Sequence, residues 1–371
     1  MPTLPKLIIA SSDHDADMLY ATGFFVPDPF IFLQQRGRSV VVLSDLEIDR
    51  GRAEARADEI VALSDISKLC GKGKDANFAE QVAAFLQNRK VRRAAVPGSF
   101  PLGLARELEK AGIHLEPQPG LFWKEREFKT EAELKLVRQA LAITEAGMAR
   151  GIEVLRAAKI GPKNSLRWSA KPLTAEILRA EIDSAILRAG GLPANTIVAG
   201  GEQACDPHER GHGPLRAHEL IILDIFPRSA RTGYFGDMTR TVIRGRASDA
   251  HRRLWETCLA GQKQALREIK PGESGKPVQD RVRQLFTEKG YPTEQKNGRW
   301  TGFFHGLGHG LGLEIHESPR IAATTFQSGQ VVTVEPGIYI PGLGGVRHED
   351  VVTITARGHR LLSRFPKPLE I

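Results

Sequence analysis

Residues 305–316, HGLGHGLGLEIH, set three imidazoles and four glycines within twelve positions, and no other part of the chain is as costly to fold. Glycine at 306, 308, 310 and 312 forgoes side-chain packing and loses backbone entropy on ordering, so the pattern fits a place where backbone or ligand approaches closely. Imidazole is the commonest metal ligand and the usual acid–base group near neutral pH. A glycine-rich loop with incidental histidines reads the same in isolation. The acidic segments on either side separate the two readings.

Residues 220–226, LIILDIF, form a strand-like apolar run broken by Asp224. A buried sheet position does not accept a carboxylate without a partner, and a cation is the obvious one. Thirteen residues on, Asp237 stands in a second strand, 234–243, reached through the turn-rich 228–233. Such a hairpin brings both carboxylates onto one face, and period-two alternation sets Thr239 beside Asp237 as a hydrogen-bond donor. After the glycine stretch, 331–337 and 345–352 repeat the pattern with Glu335 and Glu349. Alternation there puts Arg347 and Glu349 on one face and His348 on the other. One such acid alone is more often a salt bridge or a strand end. Four of them with His309, all on apolar strands, make a set suited to two hard or borderline divalent cations.

At 371 residues, 41% hydrophobic and 26% charged, the chain is long enough for two domains of an ordinary soluble protein. No apolar run approaches the roughly 20 residues of a membrane span, and 7–10 is too short for a signal segment, so the expectation is a cytoplasmic protein without a membrane partner. Cys70, Cys205 and Cys258 form no even set and no C-x-x-C pair, which predicts reduced thiols. The net charge of +8 is spread among 44 acids with no basic tail, a solvated surface rather than a nucleic-acid footprint. In the first third, apolar runs at 7–10, 31–33, 40–43, 60–63 and 94–96 read as strands, and 45–57, 77–89 and 102–111 as helices between them. That alternation predicts an α/β domain, with a break near 116–120. Gly71-Lys72-Gly73-Lys74 lacks phosphate-loop spacing and reads as a solvated loop. Thr130 and Glu133 make a capping box ahead of a long amphipathic helix, a second helix covers 174–189, and 161–172 carries no readable pattern. The domains are therefore 1–122 and 123–371.

With these residues the chain resembles the metal-dependent pita-bread peptidases: methionine aminopeptidases, Xaa-Pro aminopeptidases and prolidases. By position, Asp224, Asp237, His309, Glu335 and Glu349 match the family's Asp-Asp-His-Glu-Glu ligands. The neighbours match as well: His208 in Asp-Pro-His, His305, His316 in His-Glu, Tyr339 after Glu335, and Arg347 two before Glu349. Residues 15–25, DADMLYATGFF, look like the opening of a creatinase/prolidase N-terminal domain, which disfavours a methionine aminopeptidase. The resemblance implies an α/β N-terminal domain and an α+β pita-bread catalytic domain. It also implies two divalent metal ions, Mn²⁺ first and Co²⁺ or Zn²⁺ as alternatives, hydrolysis of the Xaa-Pro bond of short peptides, and a homodimer. Asp224 would hold one metal and His309 with Glu335 the other, Asp237 and Glu349 bridging. Glu335 would shuttle the proton, His316 and His208 would bind substrate and intermediate, and His305 and Tyr339 would line the substrate site. Arg347 would orient Glu349 or reach substrate, and Arg320 resembles the prolidase arginine that takes a substrate carboxylate. Competing readings are a metal-free creatinase-like C–N hydrolase, a non-catalytic peptide-binding module, and a Cys205/His208 nucleophile pair. Two departures stand out. Asp224-Ile225-Phe226-Pro227 replaces the usual Asp-x-Gly, with two extra residues before Asp237, and His348 replaces an apolar residue.

Overall fold

The computed structural model describes residues 4–70 and 76–371, so the loop expected at Gly71–Lys74 lies outside the described residues. The chain forms two compact units, Met1–Arg126 and Glu127–Ile371. No helix among the described residues is long and apolar enough to cross a membrane.

The first unit is built on six strands: β1 (Lys6–Ala10), β2 (Phe30–Gln35), β3 (Arg38–Leu43), β4 (Glu59–Ala62), β5 (Arg93–Pro97) and β6 (His114–Gln118), in the order β4-β3-β2-β1-β5-β6. Strands β1, β2 and β3 pair antiparallel with one another, while β4 joins β3, β5 joins β1 and β6 joins β5 in parallel. Both faces are covered, which is why these strands read as continuous apolar runs rather than alternating ones. Leu7, Ile9, Ile31 and Leu33 pack on one side with Val82, Phe85 and Leu86 of the helix Phe78–Asn88. Ile8, Phe30 and Phe32 pack on the other with Trp123. Two readings are corrected here. Residues 116–118 belong to edge strand β6, where Pro117 is tolerated because an edge position needs no ladder donor, and the helix of 45–57 shrinks to Ile48–Glu54.

In the second unit the helix Glu131–Ala157, capped by the Thr130/Glu133 box, lies along Ala175–Arg188. The approach is close because of two glycines. A Cβ at Gly147 would sit 2.8 Å from Ile186 Cγ1, and one at Gly151 3.0 Å from Ile182 Cδ1. Ile182 and Ile186 are fully buried there, each worth about 1.5–3 kcal/mol of apolar burial. Against this pair lies an antiparallel sheet of β7 (Ile197–Gly200), β8 (Ile221–Ile225) and β9 (Met238–Val242). Ile221, Leu223, Ile225, Met238 and Val242 face the helices, so Asp224, Thr239 and Thr241 must face the other way.

A second sheet holds β10 (His309–Gly310), β11 (Glu317–Arg320), β12 (Val331–Val334), β15 (Asp350–Thr355) and β16 (Gly358–Leu361), in the order β11-β10-β12-β15-β16. The hairpin of β13 (Gly337–Ile340) and β14 (Gly344–Arg347) falls between β12 and β15 in the chain. Val332, Val334, Val352 and Ile354 bury one face of this sheet against the helices Asp249–Glu268 and Gly275–Glu288. The stretch 161–172 turns out to hold a small meander, Leu166–Trp168 and Lys171–Pro172 with Lys159–Ile160. It is unreadable in sequence because Leu166 is the one buried side chain over 159–172.

Candidate active site

A cleft of about 1070 Å³ opens where the outward faces of these two sheets meet, and Asp224, Asp237, His309, Glu335, Arg347 and Glu349 line it. Each reaches the cleft for a local reason. Asp224 pairs in register with Thr239, on the face opposite the helix-packed apolar residues. Asp237 lies just ahead of β9 rather than inside it. The turn before it requires Gly236, where a Cβ would fall 2.3 Å from Thr144 Oγ1 and 2.6 Å from the Ala140 carbonyl of the long helix. His309 stands on β10, whose glycines permit close packing: a Cβ at Gly308 would lie 2.0 Å from the Thr333 carbonyl, and one at Gly310 2.2 Å from that of Ser318. Gly306, by contrast, meets nothing nearer than 4.0 Å. The glycine pattern thus serves approach by neighbouring backbone at 308 and 310 but not at 306.

The ligand atoms of Asp237, His309 and Glu349 all lie within 4.8 Å of one another. Glu335 Oε1 is 3.1 Å from His309 Nε2, and Asp237 Oδ2 is 3.6 Å from it. Asp224 departs from the grouping. Its Oδ2 accepts from Arg347 Nη2 at 2.6 Å, while its buried Oδ1 has no hydrogen-bond partner. The partner that the sequence demanded for Asp224 is therefore, in part, a guanidinium. Arg347 also donates to Tyr339 Oη at 2.8 Å and to Thr239 Oγ1 at 3.2 Å, so it orients Asp224 and Tyr339 rather than Glu349. Thr239 likewise donates to Glu349 Oε2 at 2.8 Å, not to Asp237. Tyr339 is fully buried behind His305, whose Nε2 lies 2.9 Å from its hydroxyl. His208, His316 and Arg320 reach the cleft from its exposed rim, and the His316 ring stands edge-on to that of His309 at 4.4 Å. His348 faces away, fully buried against the Trp255 ring.

Electrostatics set the character of this cluster. Burial raises the Asp237 and Glu349 carboxyls well above their ordinary range. Repulsion among Asp237, Glu349, Asp224 and Glu335 adds to it. Burial acts on Glu335 the same way, but the hydrogen bond and charge of His309, with the Arg347 charge, outweigh it and hold Glu335 below the usual range. Burial lowers His305 to about 4, helped by Arg347, and lowers His316 to about 4, helped by His309 and Arg320. Both are therefore neutral at pH 7. The Cys205 thiol is pushed up to about 11 by burial, which removes the nucleophile from a Cys205/His208 pair.

These residues fit divalent cations. His309 Nδ1 lies 3.1 Å from the Gly310 carbonyl, which turns Nε2 toward the Asp237 and Glu335 carboxylates as the ring's ligand atom. An orphaned Asp224 oxygen and mutually repelling buried acids are each relieved by positive charge among them. Four carboxylates and one imidazole suit hard or borderline ions. One contributor escaped the sequence reading: Thr333 Oγ1 accepts the His309 N–H at 3.0 Å and donates to Glu335 Oε1 at 3.0 Å. Its signal was the two-residue spacing to Glu335, which places both on one strand face.

The chain is similar to known proteins over most of its length. A Xaa-Pro dipeptidase of Pyrococcus horikoshii is 30% identical over 293 residues, 75% of each chain. Among solved structures, a Xaa-Pro dipeptidase from Bacillus anthracis is 25% identical with a TM-score of 0.82, covering 99% of this chain and 95% of that one. An X-Pro aminopeptidase from Thermotoga maritima is 24% identical with the same TM-score of 0.82, covering 99% and 97%. The fold is accordingly the expected one, an α/β N-terminal domain followed by a pita-bread domain. The description "Metallopeptidase family M24" matches residues 135–356, a span that contains all five acidic and imidazole residues of the cluster, and the chain belongs to that family.

Proposed function

We propose that this protein is a dinuclear-metal peptidase that hydrolyses the Xaa-Pro bond of short peptides. The observation that carries the reading is the convergence of Asp224, Asp237, His309, Glu335 and Glu349 on one cleft. The names of the dipeptidase and aminopeptidase relatives support the substrate class. Asp224 would hold one ion, His309 and Glu335 the other, with Asp237 and Glu349 shared between them. Bound divalent ions, Mn²⁺ first and Co²⁺ or Zn²⁺ as alternatives, supply Lewis acidity toward the scissile carbonyl and lower the pKa of water from about 16 towards about 7.

The chain's own residues do the rest. Glu335, ionised and fixed by Thr333, would take a proton from the attacking water and deliver it to the leaving nitrogen, which departs poorly unless protonated. His316, neutral at pH 7, and His208 offer ring N–H groups to substrate and to the developing oxyanion. Arg347 fixes Asp224 and Tyr339, and Tyr339 in turn fixes His305 at the substrate site. Arg320 provides a cation for the C-terminal carboxylate of a dipeptide with proline second, a contact worth about 1.5–3 kcal/mol. A homodimer in the cytoplasm, where reduced thiols persist, completes the proposal.

The test is direct. Chelator-stripped protein should lose cleavage of Ala-Pro and regain it with Mn²⁺ or Co²⁺; undiminished turnover without bound metal sinks the mechanism. Equal or faster cleavage of Ala-Pro-Ala removes the dipeptide preference, and indifference to proline removes the Xaa-Pro assignment.

A further inference from the structure

Lys129 and Glu317, 188 positions apart in sequence, form an ion pair whose side chains are 2% and 1% exposed. For a pair so deeply buried, desolvation roughly cancels the attraction, and an apolar pair of similar volume would stabilise the fold as well or better. Its use is visible in what surrounds it. Glu317 closes the turn over 311–316: its Oε2 accepts the Glu314 N–H at 3.3 Å, and Gly312 makes room, since a Cβ there would lie 2.3 Å from Glu317 Oε1. The Gly312 carbonyl accepts the Phe235 N–H at 2.8 Å, two residues before Asp237. Lys129 is itself held, its N–H donating to the Gly329 carbonyl at 2.7 Å, one residue ahead of the Thr130 cap. His316 is covalently next to Glu317 and stands against His309.

We propose that Lys129 is a positioning residue: through Glu317 it fixes the 311–317 turn and thereby holds His316 against the carboxylate cluster. The inference deepens the peptidase reading and rests on it. An apolar replacement of the pair, Lys129→Met with Glu317→Leu, separates positioning from stability. In the metal-loaded protein its melting temperature should stay within a few degrees of wild type, while kcat for Ala-Pro falls at least tenfold with KM little changed. Adding His316→Ala to it should cost nothing further. Amide hydrogen exchange over 311–317 should rise more than tenfold, with 331–334 unchanged. Lys129→Met alone is read in the same way should the apolar pair not fold, whereas Lys129→Gln, which keeps a donor to Glu317, should retain most of the turnover and of the exchange protection. Wild-type turnover in the paired variant, losses that multiply with His316→Ala, or unchanged exchange over 311–317 would each overturn the proposal. A wild-type protein that cleaves no Xaa-Pro peptide defeats the peptidase reading instead, and the exchange measurement still decides the positioning.

Discussion

Asp237 stands 4% exposed among three other carboxylates, held there by the packing of the long helix on Gly236. Burial and repulsion both raise its pKa, so in metal-free protein its charge works against the fold. Asp237→Ala should therefore leave the metal-free protein melting at or above the wild-type temperature, while turnover with metal falls by about 100-fold or more. Unfolding on substitution, or retained turnover, contradicts the assignment. His348 offers a second test. It is fully buried, neither ring nitrogen has a hydrogen-bond partner, and burial first, then the Arg240 and Lys367 charges, lower it from 6.5 to about 3. The unfolded chain therefore takes up this proton first on acidification. Above pH 6.5 this linkage takes nothing from stability, and below it stability falls as pH drops towards 3, with a slope of about 1.4 kcal/mol per pH unit. His348→Leu should flatten denaturant-measured stability between pH 6 and 4 by about that slope. It should also raise stability at pH 7, by removing an unsatisfied buried donor.

Strand β10 is two residues long, yet it carries His309 between β11 and β12. Its position depends on glycine at 308 and 310, because the Thr333 and Ser318 carbonyls occupy the space a Cβ would need. Gly308→Ala should cost about 1–3 kcal/mol or more and reduce metal affinity, since neither backbone can yield without breaking the sheet. Gly306→Ala, with open space around it, should change stability by less than about 0.5 kcal/mol. Calorimetry and metal titration of the two variants check this contrast. Equal losses would mean that the glycines serve flexibility rather than close approach.

For the molecule as a whole, the expected homodimer is open to sedimentation. Two chains should travel together at working concentration, and a single-chain mass would refute it. At this scale the cleft draws on residues from Asn195 to Glu349, so the site exists only when both sheets of the second unit are assembled. Loss of metal-dependent activity and global unfolding of that unit should therefore coincide.

The strands and helices of both units were legible because burial leaves a period in the chain: continuous apolar runs where a sheet is covered on both faces, as in β1 and β2, and a capping box where the long helix begins. The carboxylates interrupting such runs marked Asp224, Glu335 and Glu349, because an acid is too costly in a buried strand to be incidental. Edge strand β6 was misread as a break since Pro117 carries a turn signal that an edge position overrides, and the meander over 159–172 was silent because it buries almost nothing. Sequence alone thus determined which residues would share a face, a property of local geometry. The tertiary structure decided which of them share a partner. Arg347 bonds Asp224 rather than Glu349, Thr239 bonds Glu349 rather than Asp237, and Lys129 meets Glu317 across 188 positions. Side-chain pairing depends on distances between separate elements, and backbone periodicity carries no information about those.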